Sequence, residues 1–288
     1  MTAFDLYRPT SLPEALRLGA ELEGARYLGG GTDLMVRIRE GKQRPKALVS
    51  LGRIAELEGL SVGETTRIGA GTRVAALLES PALAELFPAL VQAAGRLGSV
   101  QIRNLATAGG NLCNASPCAD LAPPLLVAEA RLEVAGPAGR REVPLADFFT
   151  APGTTRLGPG ELLCAIHVPR PRSGTRACFL KHGRVAMDIA LASLAVAVEL
   201  DGETVTQARL AAGSVAPRPV RLPRTEALLA GQRLTPELLA RVKAEASAEV
   251  QPISDVRAGA DFRRHMIGVL LGRALAALLG AQKDGRSA

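Results

Sequence analysis

In this sequence the residues best placed to do chemistry would act through backbone groups. From Gln101 to Leu125 the chain reads QIRNLATAGGNLCNASPCADLAPPL, with Gly109-Gly110 among small and hydroxylated residues, then Asn111, and Asp120 ahead of an apolar run. Upstream, Leu28-Gly29-Gly30-Gly31-Thr32-Asp33-Leu34 is a second loop of the same kind. Glycine admits positive φ and lets a ligand come close to backbone amides. Successive exposed amides form a concavity for anions. Two such turns suit a ligand that carries two linked phosphates. Taken singly, each reads first as a plain turn, because glycine is common in this chain at 30 of 288 residues. Neither matches G-x-G-x-x-G, and no G-x-x-x-x-G-K-[ST] occurs, so no standard nucleotide motif is present.

Other chemistries have less support. Cys113, Cys118, Cys164 and Cys178 lack C-x-x-C pairing, and His167, His182 and His265 are isolated, so no metal site and no iron–sulfur cluster is assigned. A net charge of +7 comes mostly from single arginines without a dense basic run, and aromatics make up only 3%. That composition argues against nucleic-acid binding. No apolar run reaches the length of a membrane span. The first residues, MTAFDLYRPTSLPEAL, lack the basic and apolar regions of a secretory signal, so a cytoplasmic location is expected.

The pattern around these loops is mixed. Ser11 with Glu14 is a capping-box pair that opens a helix from Leu12 to Leu22. Ala25 to Leu28 reads as a strand entering the first glycine loop, and Leu34 begins a helix, so that loop lies at a strand-to-helix turn. Ala47 to Leu51 reads as a buried strand. Arg67 to Thr72 is a strand and turn, and Leu83 to Leu97 has helical spacing. Leu132 to Ala135, Arg141 to Val143 and Leu162 to Val168 are strands separated by Gly/Pro turns. After the linker-like Pro169 to Gly174 come strands Ala177 to Lys181, Ile189 to Leu200 and Val205 to Ala212, with Asp201-Gly202 as a hairpin signal. They read as a sheet covered on one face. Helices follow at Thr225 to Ala230, Pro236 to Val250 (Thr235 as N-cap) and Asp261 to Leu279, the last with Arg263, Arg264 and Arg273 on a solvated or ion-paired face. The fold class is α+β.

Taken together, four blocks resemble a known family: Leu28-GGGTDL-Met35; Ala106-TAGGNLCNASPCADLAPPL-Leu126; Phe179-LKHGRVAMDIALASLAV; and Ala211-AGSVAPRPVRL with Ile253-SDVRAGADFRRHMIGVLLGRAL. The chain is similar to the FAD-binding medium subunits of molybdenum hydroxylases, the carbon monoxide dehydrogenase and xanthine dehydrogenase family. The resemblance implies two α/β FAD-binding subdomains, 1–57 and 58–173, followed by a C-terminal domain, 174–288, of a three-stranded antiparallel sheet with helices. It implies FAD as cofactor, with the diphosphate between Tyr27, Leu28, Gly29, Gly30, Gly31, Thr32, Asp33 and Leu34 on one side and Thr107, Ala108, Gly109, Gly110 and Asn111 on the other. Matching positions add Asp120, Leu163 and Lys181. Asp120 would accept a ribose or ring hydroxyl, or cap the helix after it. Lys181 would face the N1–C2=O edge of the flavin, or be a strand-surface lysine.

By the same resemblance no side chain of the chain is catalytic. FAD would take electrons from a [2Fe-2S] small subunit and pass them to NAD, a quinone or O₂, while a molybdopterin large subunit hydroxylates the substrate. The full complex would be a dimer of heterotrimers. Two rival readings are a free-standing FAD-dependent oxidoreductase acting on its own small-molecule substrate, and a flavin-free scaffold.

Overall fold

The computed structural model describes residues 3–280, so the outer ends of the expected first and last domains (1–2 and 281–288) lie outside the described residues. As far as those residues go, the chain packs into two compact units. Among the described residues one comprises 3–80, Ser99–Ala115 and Glu129–Arg170, the other Pro81–Gly98, Ser116–Ala128 and 171–280. No helix among the described residues is long and apolar enough to cross a membrane.

The first unit holds two sheets. β1 (Asp5–Tyr7), β2 (Ala25–Leu28) and β3 (Ala47–Ser50) form a parallel sheet in the order β1-β3-β2. β3 is central, and its Ala47-Leu48-Val49 run is buried, as the middle of a parallel sheet requires. The Leu12–Glu21 helix covers it. Ser11 caps that helix by accepting from the Glu14 amide, while the Glu14 carboxylate reaches back to the amide of Thr10. Its Leu12, Ala15 and Leu18 join Val49, Ile54, Leu57, Leu162 and Cys164 in one core.

The second sheet is antiparallel. It is built from β4 (Leu60–Ser61), β5 (Thr65–Gly69), β6 (Arg131–Gly136) and β7 (Gly139–Pro144) around a later strand. β8 (Phe149–Ala151) and β9 (Thr154–Thr155) pair apart from it. The later strand is β10 (Leu162–Pro169), giving the order β4-β5-β10-β6-β7. Between β10 and β6 the register slips at Leu163/Ala165, which leaves Cys164 as the extra residue of a bulge. Bulges re-aim neighbouring side chains, and this one lies beside Leu163.

The second unit is organised on β11 (Arg176–His182), β12 (Ala192–Asp201) and β13 (Thr204–Gly213), all antiparallel, with Gly202 at φ 58° in the β12–β13 turn. Two further strands, β14 (Val220–Arg221) and β15 (Gln232–Arg233), pair with opposite ends of β13. The sheet therefore has five strands, where the sequence predicts three, because a two-residue strand is too short to show alternation. Nor is the sheet covered on one face only, since β12 is buried at every position from Ala192 to Val198. Alternate residues of that strand meet the C-terminal helices Pro236–Glu249 and Ala260–Gly280, while Pro88–Arg96 and Ala122–Val127 pack on β11 and β13. Thr235 caps its helix as expected, accepting from the Leu238 amide.

One other expectation is corrected and another is narrowed. The helical stretch 83–97 is two helices, Pro81–Leu86 and Pro88–Arg96, because Pro88 has no N–H to continue the first. For Arg263 the ion-paired alternative holds and the solvated one does not. This arginine is 2% exposed and donates to the carbonyls of Leu191 and Ser214 and to Asp255.

Candidate functional site

The first glycine loop has the form that its residues predict. β2 delivers Gly29 into a turn with Gly31 at φ 74°, and the helix Leu34–Arg39 follows. Within that turn the carbonyls of Gly31 and Asp33 are used, by the Met35 and Arg37 amides. The amides are not. Among the described residues, none of the N–H groups of Gly29, Gly30, Gly31, Thr32 and Asp33 donates to an acceptor in the chain. Backbone donors without partners need water or a ligand, and successive amides of this kind can form a concavity for an anion.

The second loop departs from the reading of it as a plain turn. Thr107 is the N-cap of a short helix, Ala108–Cys113, and its hydroxyl accepts from the Gly110 amide at 3.0 Å. The neighbouring amides are committed as well: Ala108 to the Thr72 carbonyl, Gly109 to that of Ala70 and Asn111 to that of Thr107. Gly109 and Gly110 are not at positive φ. Their lack of a side chain serves close packing, since a Cβ on Gly109 would lie 2.6 Å from that of Ala70 and one on Gly110 would lie 2.7 Å from the Thr107 hydroxyl. Of the second loop's five residues only Thr107 keeps an amide without an acceptor among the described residues, so the first loop is the one that offers a run of unspent amides.

The two segments nevertheless meet. A Cβ on Gly29 would stand 3.0 Å from the Thr107 hydroxyl, and one on Gly30 would run into the Leu105 carbonyl group and the Ala106 Cα. Beside this junction is a cavity of about 130 Å³. Of the residues expected at the site, Tyr27, Gly29, Thr107, Gly109, Gly110 and Leu163 line it. Leu28, Gly30, Gly31, Thr32, Asp33 and Leu34 continue the first loop, and Ala108 and Asn111 the second, without lining it. Tyr27 is a wall of this cavity. Its hydroxyl donates to the Gly160 carbonyl at 3.3 Å, and burial pushes it up to about 12.

Several lining residues carry no signal that sequence reasoning used. Ala70 and Gly71 come from the strand-and-turn Arg67 to Thr72, whose glycines are a usable sign, whereas Leu51, Leu57, Arg73 and Glu161 belong to no motif. Glu161 is neutralised in place: two Arg141 contacts of 2.6–2.7 Å and the Gly158 amide hold its carboxyl below the usual range. Burial pushes the Cys113 thiol up to about 12, so it is un-ionised at neutral pH.

Asp120 and Lys181 belong to the other unit, where they form a buried pair. Lys181 Nζ donates to Asp120 at 2.8 Å and to the Arg96 carbonyl at 3.0 Å, with the two side chains 5% and 9% exposed. The alternative of a strand-surface lysine is thereby removed. Asp120 does not cap the next helix either, since Leu121 occupies the N-cap position and no side-chain cap bond is made there. Burial dominates the carboxyl and raises it to about 6 in spite of the ammonium. Its Oδ1 is buried without a hydrogen-bond partner, which is costly unless a ligand supplies a donor.

Comparison with known proteins identifies the setting of these features. Residues 2–171 match the FAD binding domain in molybdopterin dehydrogenase, and residues 177–278 match the CO dehydrogenase flavoprotein C-terminal domain. The chain is 34% identical to the xanthine dehydrogenase FAD-binding subunit of Escherichia coli O157:H7 over 279 residues, 96% of each chain. It is 33% identical to the carbon monoxide dehydrogenase medium chain of Hydrogenophaga pseudoflava, over 94% of this chain and 96% of that one. Reconstituted CO dehydrogenase from Oligotropha carboxidovorans superposes with a TM-score of 0.94 at 33% identity, covering 96% of this chain and 98% of that chain. The mixed α/β fold is thus that of the CO dehydrogenase medium subunit. The chain belongs to the FAD-binding medium subunits of the molybdenum hydroxylases, and is an oxidoreductase flavoprotein subunit whose cofactor is FAD.

Proposed function

We propose that the chain is the electron-transfer subunit of a molybdenum hydroxylase complex. When bound, FAD would supply the redox chemistry between a [2Fe-2S] small subunit and an external acceptor such as NAD, a quinone or O₂. The chain's own residues bind and orient the cofactor. The observation that carries this is the run of five unpartnered amides from Gly29 to Asp33, set against Thr107 beside a cavity. A diphosphate is the part of FAD that such an array fits. Each charge-assisted bond is worth about 1.5–3 kcal/mol, so a few of them hold the cofactor firmly.

Within this reading Tyr27 to Leu34 and Thr107 to Asn111 form the diphosphate site. The first segment donates, and the second presents the Thr107 hydroxyl and sets the position of the first. Leu163 lines the same cavity. The family resemblance adds Asp120 and Lys181, and their buried pair supports a polar role, since Asp120 Oδ1 still lacks a donor. The proposed division into 1–57, 58–173 and 174–288 is supported by the distribution of the strands, β1 to β3, β4 to β10 and β11 to β15, while the helical segments 81–98 and 116–128 of the second part cluster with the third. A large molybdopterin subunit and a small [2Fe-2S] subunit complete the complex as a cytoplasmic dimer of heterotrimers.

Mixing the purified FAD-loaded chain with a chemically reduced [2Fe-2S] partner subunit, without oxygen, tests the proposal. Bleaching of the flavin absorbance by the partner, and its return on adding an acceptor, is the expected result. A chain that turns over a small-molecule substrate alone and ignores the reduced partner would instead be a free-standing oxidoreductase.

A further inference from the structure

Arg73 lines the same cavity and is not accounted for by the glycine loops. Its position is tightly set. Its backbone bridges antiparallel to that of Thr107, with the Val74 amide on the Ala106 carbonyl and the Ala108 amide on the Thr72 carbonyl, both at 2.9 Å. Its Nη1 donates to the carbonyls of Asn104 and Leu105, at 3.0 and 3.1 Å. The Leu105 carbonyl is the group against which Gly30 packs. The guanidinium is thus anchored on an atom that touches the glycine loop, opposite the residue whose hydroxyl faces Gly29.

What remains of that guanidinium is unspent. Arginine carries five N–H donors in a rigid fork, and Nη1 alone is used. Among the described residues no hydrogen bond is made by Nε or Nη2, and no carboxylate pairs with the side chain. Glu161, an acid in the same lining, is already held by Arg141. This exposed cation, held by two carbonyls, shares the cavity lining with Gly29, and one of its carbonyl anchors packs against Gly30, so its free donors are near the start of the open-amide run.

We propose that Arg73 is a diphosphate-binding residue: its anchored guanidinium directs Nε and Nη2 at the anion that the Gly29–Asp33 amides receive. The inference rests on the proposed placement of the FAD diphosphate at that loop. It adds to amide dipoles the full charge of one cation, so FAD affinity acquires a dependence on salt that amides alone give only weakly. The ligand class is a dinucleotide or other diphosphate ester.

The test titrates FAD into the full, deflavinated chain by flavin fluorescence at several salt concentrations, for wild type, Arg73→Gln, Arg73→Lys and Gly30→Ala. Arg73→Gln is expected to weaken FAD by about tenfold to a hundredfold and to flatten the salt dependence. Arg73→Lys is expected to keep the salt dependence while losing part of the affinity, because a lysine supplies the charge without the fork. A purely structural anchor for the Asn104 and Leu105 carbonyls would lower thermal stability and leave the salt dependence as in wild type. That result, or unchanged FAD affinity in Arg73→Gln, overturns the proposal. Gly30→Ala separates the two levels. If it loses FAD while Arg73→Gln does not, only the role of Arg73 fails; if neither loses FAD, the diphosphate placement fails with it.

Discussion

Gly30→Ala is the smallest change that sets the two converging segments against each other. A Cβ at this position would lie 2.5 Å from the Leu105 carbonyl carbon and 2.9 Å from the Ala106 Cα, where ordinary contact begins near 3.4 Å. The obstructing atoms are backbone, so no side chain can swing aside. The loop and the 105–106 segment must part by roughly 0.9 Å at the carbonyl carbon, an overpacking that costs about 1–3 kcal/mol. For a unit of this size that lowers Tm by roughly 2–12 °C. The effect on the cofactor is larger. If the shift takes two of the five amides out of reach, at about 1.5 kcal/mol each, FAD affinity falls by about a hundredfold. Flavin content per chain and a FAD titration measure this, with thermal melting of the flavin-free chain as the stability readout. Gly52→Ala is the control, because Gly52 lines the same cavity and a Cβ there meets nothing within 4 Å. It should retain FAD within about threefold. Wild-type FAD affinity in Gly30→Ala would refute the reasoning.

The Asp120–Lys181 pair yields two more predictions. If the ammonium faces the flavin edge that becomes negative on reduction, as the family resemblance implies, Lys181→Ala should lower the two-electron potential by on the order of 30–60 mV; an unchanged or higher potential in spectroelectrochemical titration counts against that placement. Asp120 gives a pH signature in the flavin-free chain. Its folded value of about 6 lies above the unfolded 3.8, so the native state holds the proton more tightly. The stability linked to that proton is fully present below about pH 4 and is lost as pH rises through 6, by on the order of 2–3 kcal/mol. Urea unfolding from pH 4 to 7 should show this decline in wild type and not in Asp120→Asn; a difference between the two that is flat or rises with pH contradicts it.

Much of the frame was legible because the local signals agreed. The Ala25–Leu28 strand, the glycine loop and the helix after it each carry their own chemistry, as do Thr235 and the Asp201-Gly202 turn. The convergence of segments that far apart in sequence came from the resemblance, since no local rule brings Gly29 to Thr107. What was missed is tertiary. A six-residue helix beginning Ala-Gly-Gly has poor propensity and no apolar period, so Ala108–Cys113 reads as a turn until Thr107, Ala70 and Thr72 take up its amides. The break at Phe87-Pro88 was visible in the proline and was outweighed by apolar spacing. Arg263 looks like any surface arginine in a helix until the carbonyls of Leu191 and Ser214 are seen to enclose it. Arg73 has no motif, and its unspent donors show only once Asn104 and Leu105 are in place.

Amide hydrogen exchange, with and without FAD, tests the central claim most directly. In the flavin-free chain the amides of Gly29 to Asp33, having no acceptor, should exchange fast, while those of Ala108 to Asn111 should already be protected. Adding FAD should slow exchange across 29–33 and leave 108–111 nearly unchanged. Protection that appears at 108–111 and not at 29–33, or at neither, would contradict the account of how this chain holds its cofactor.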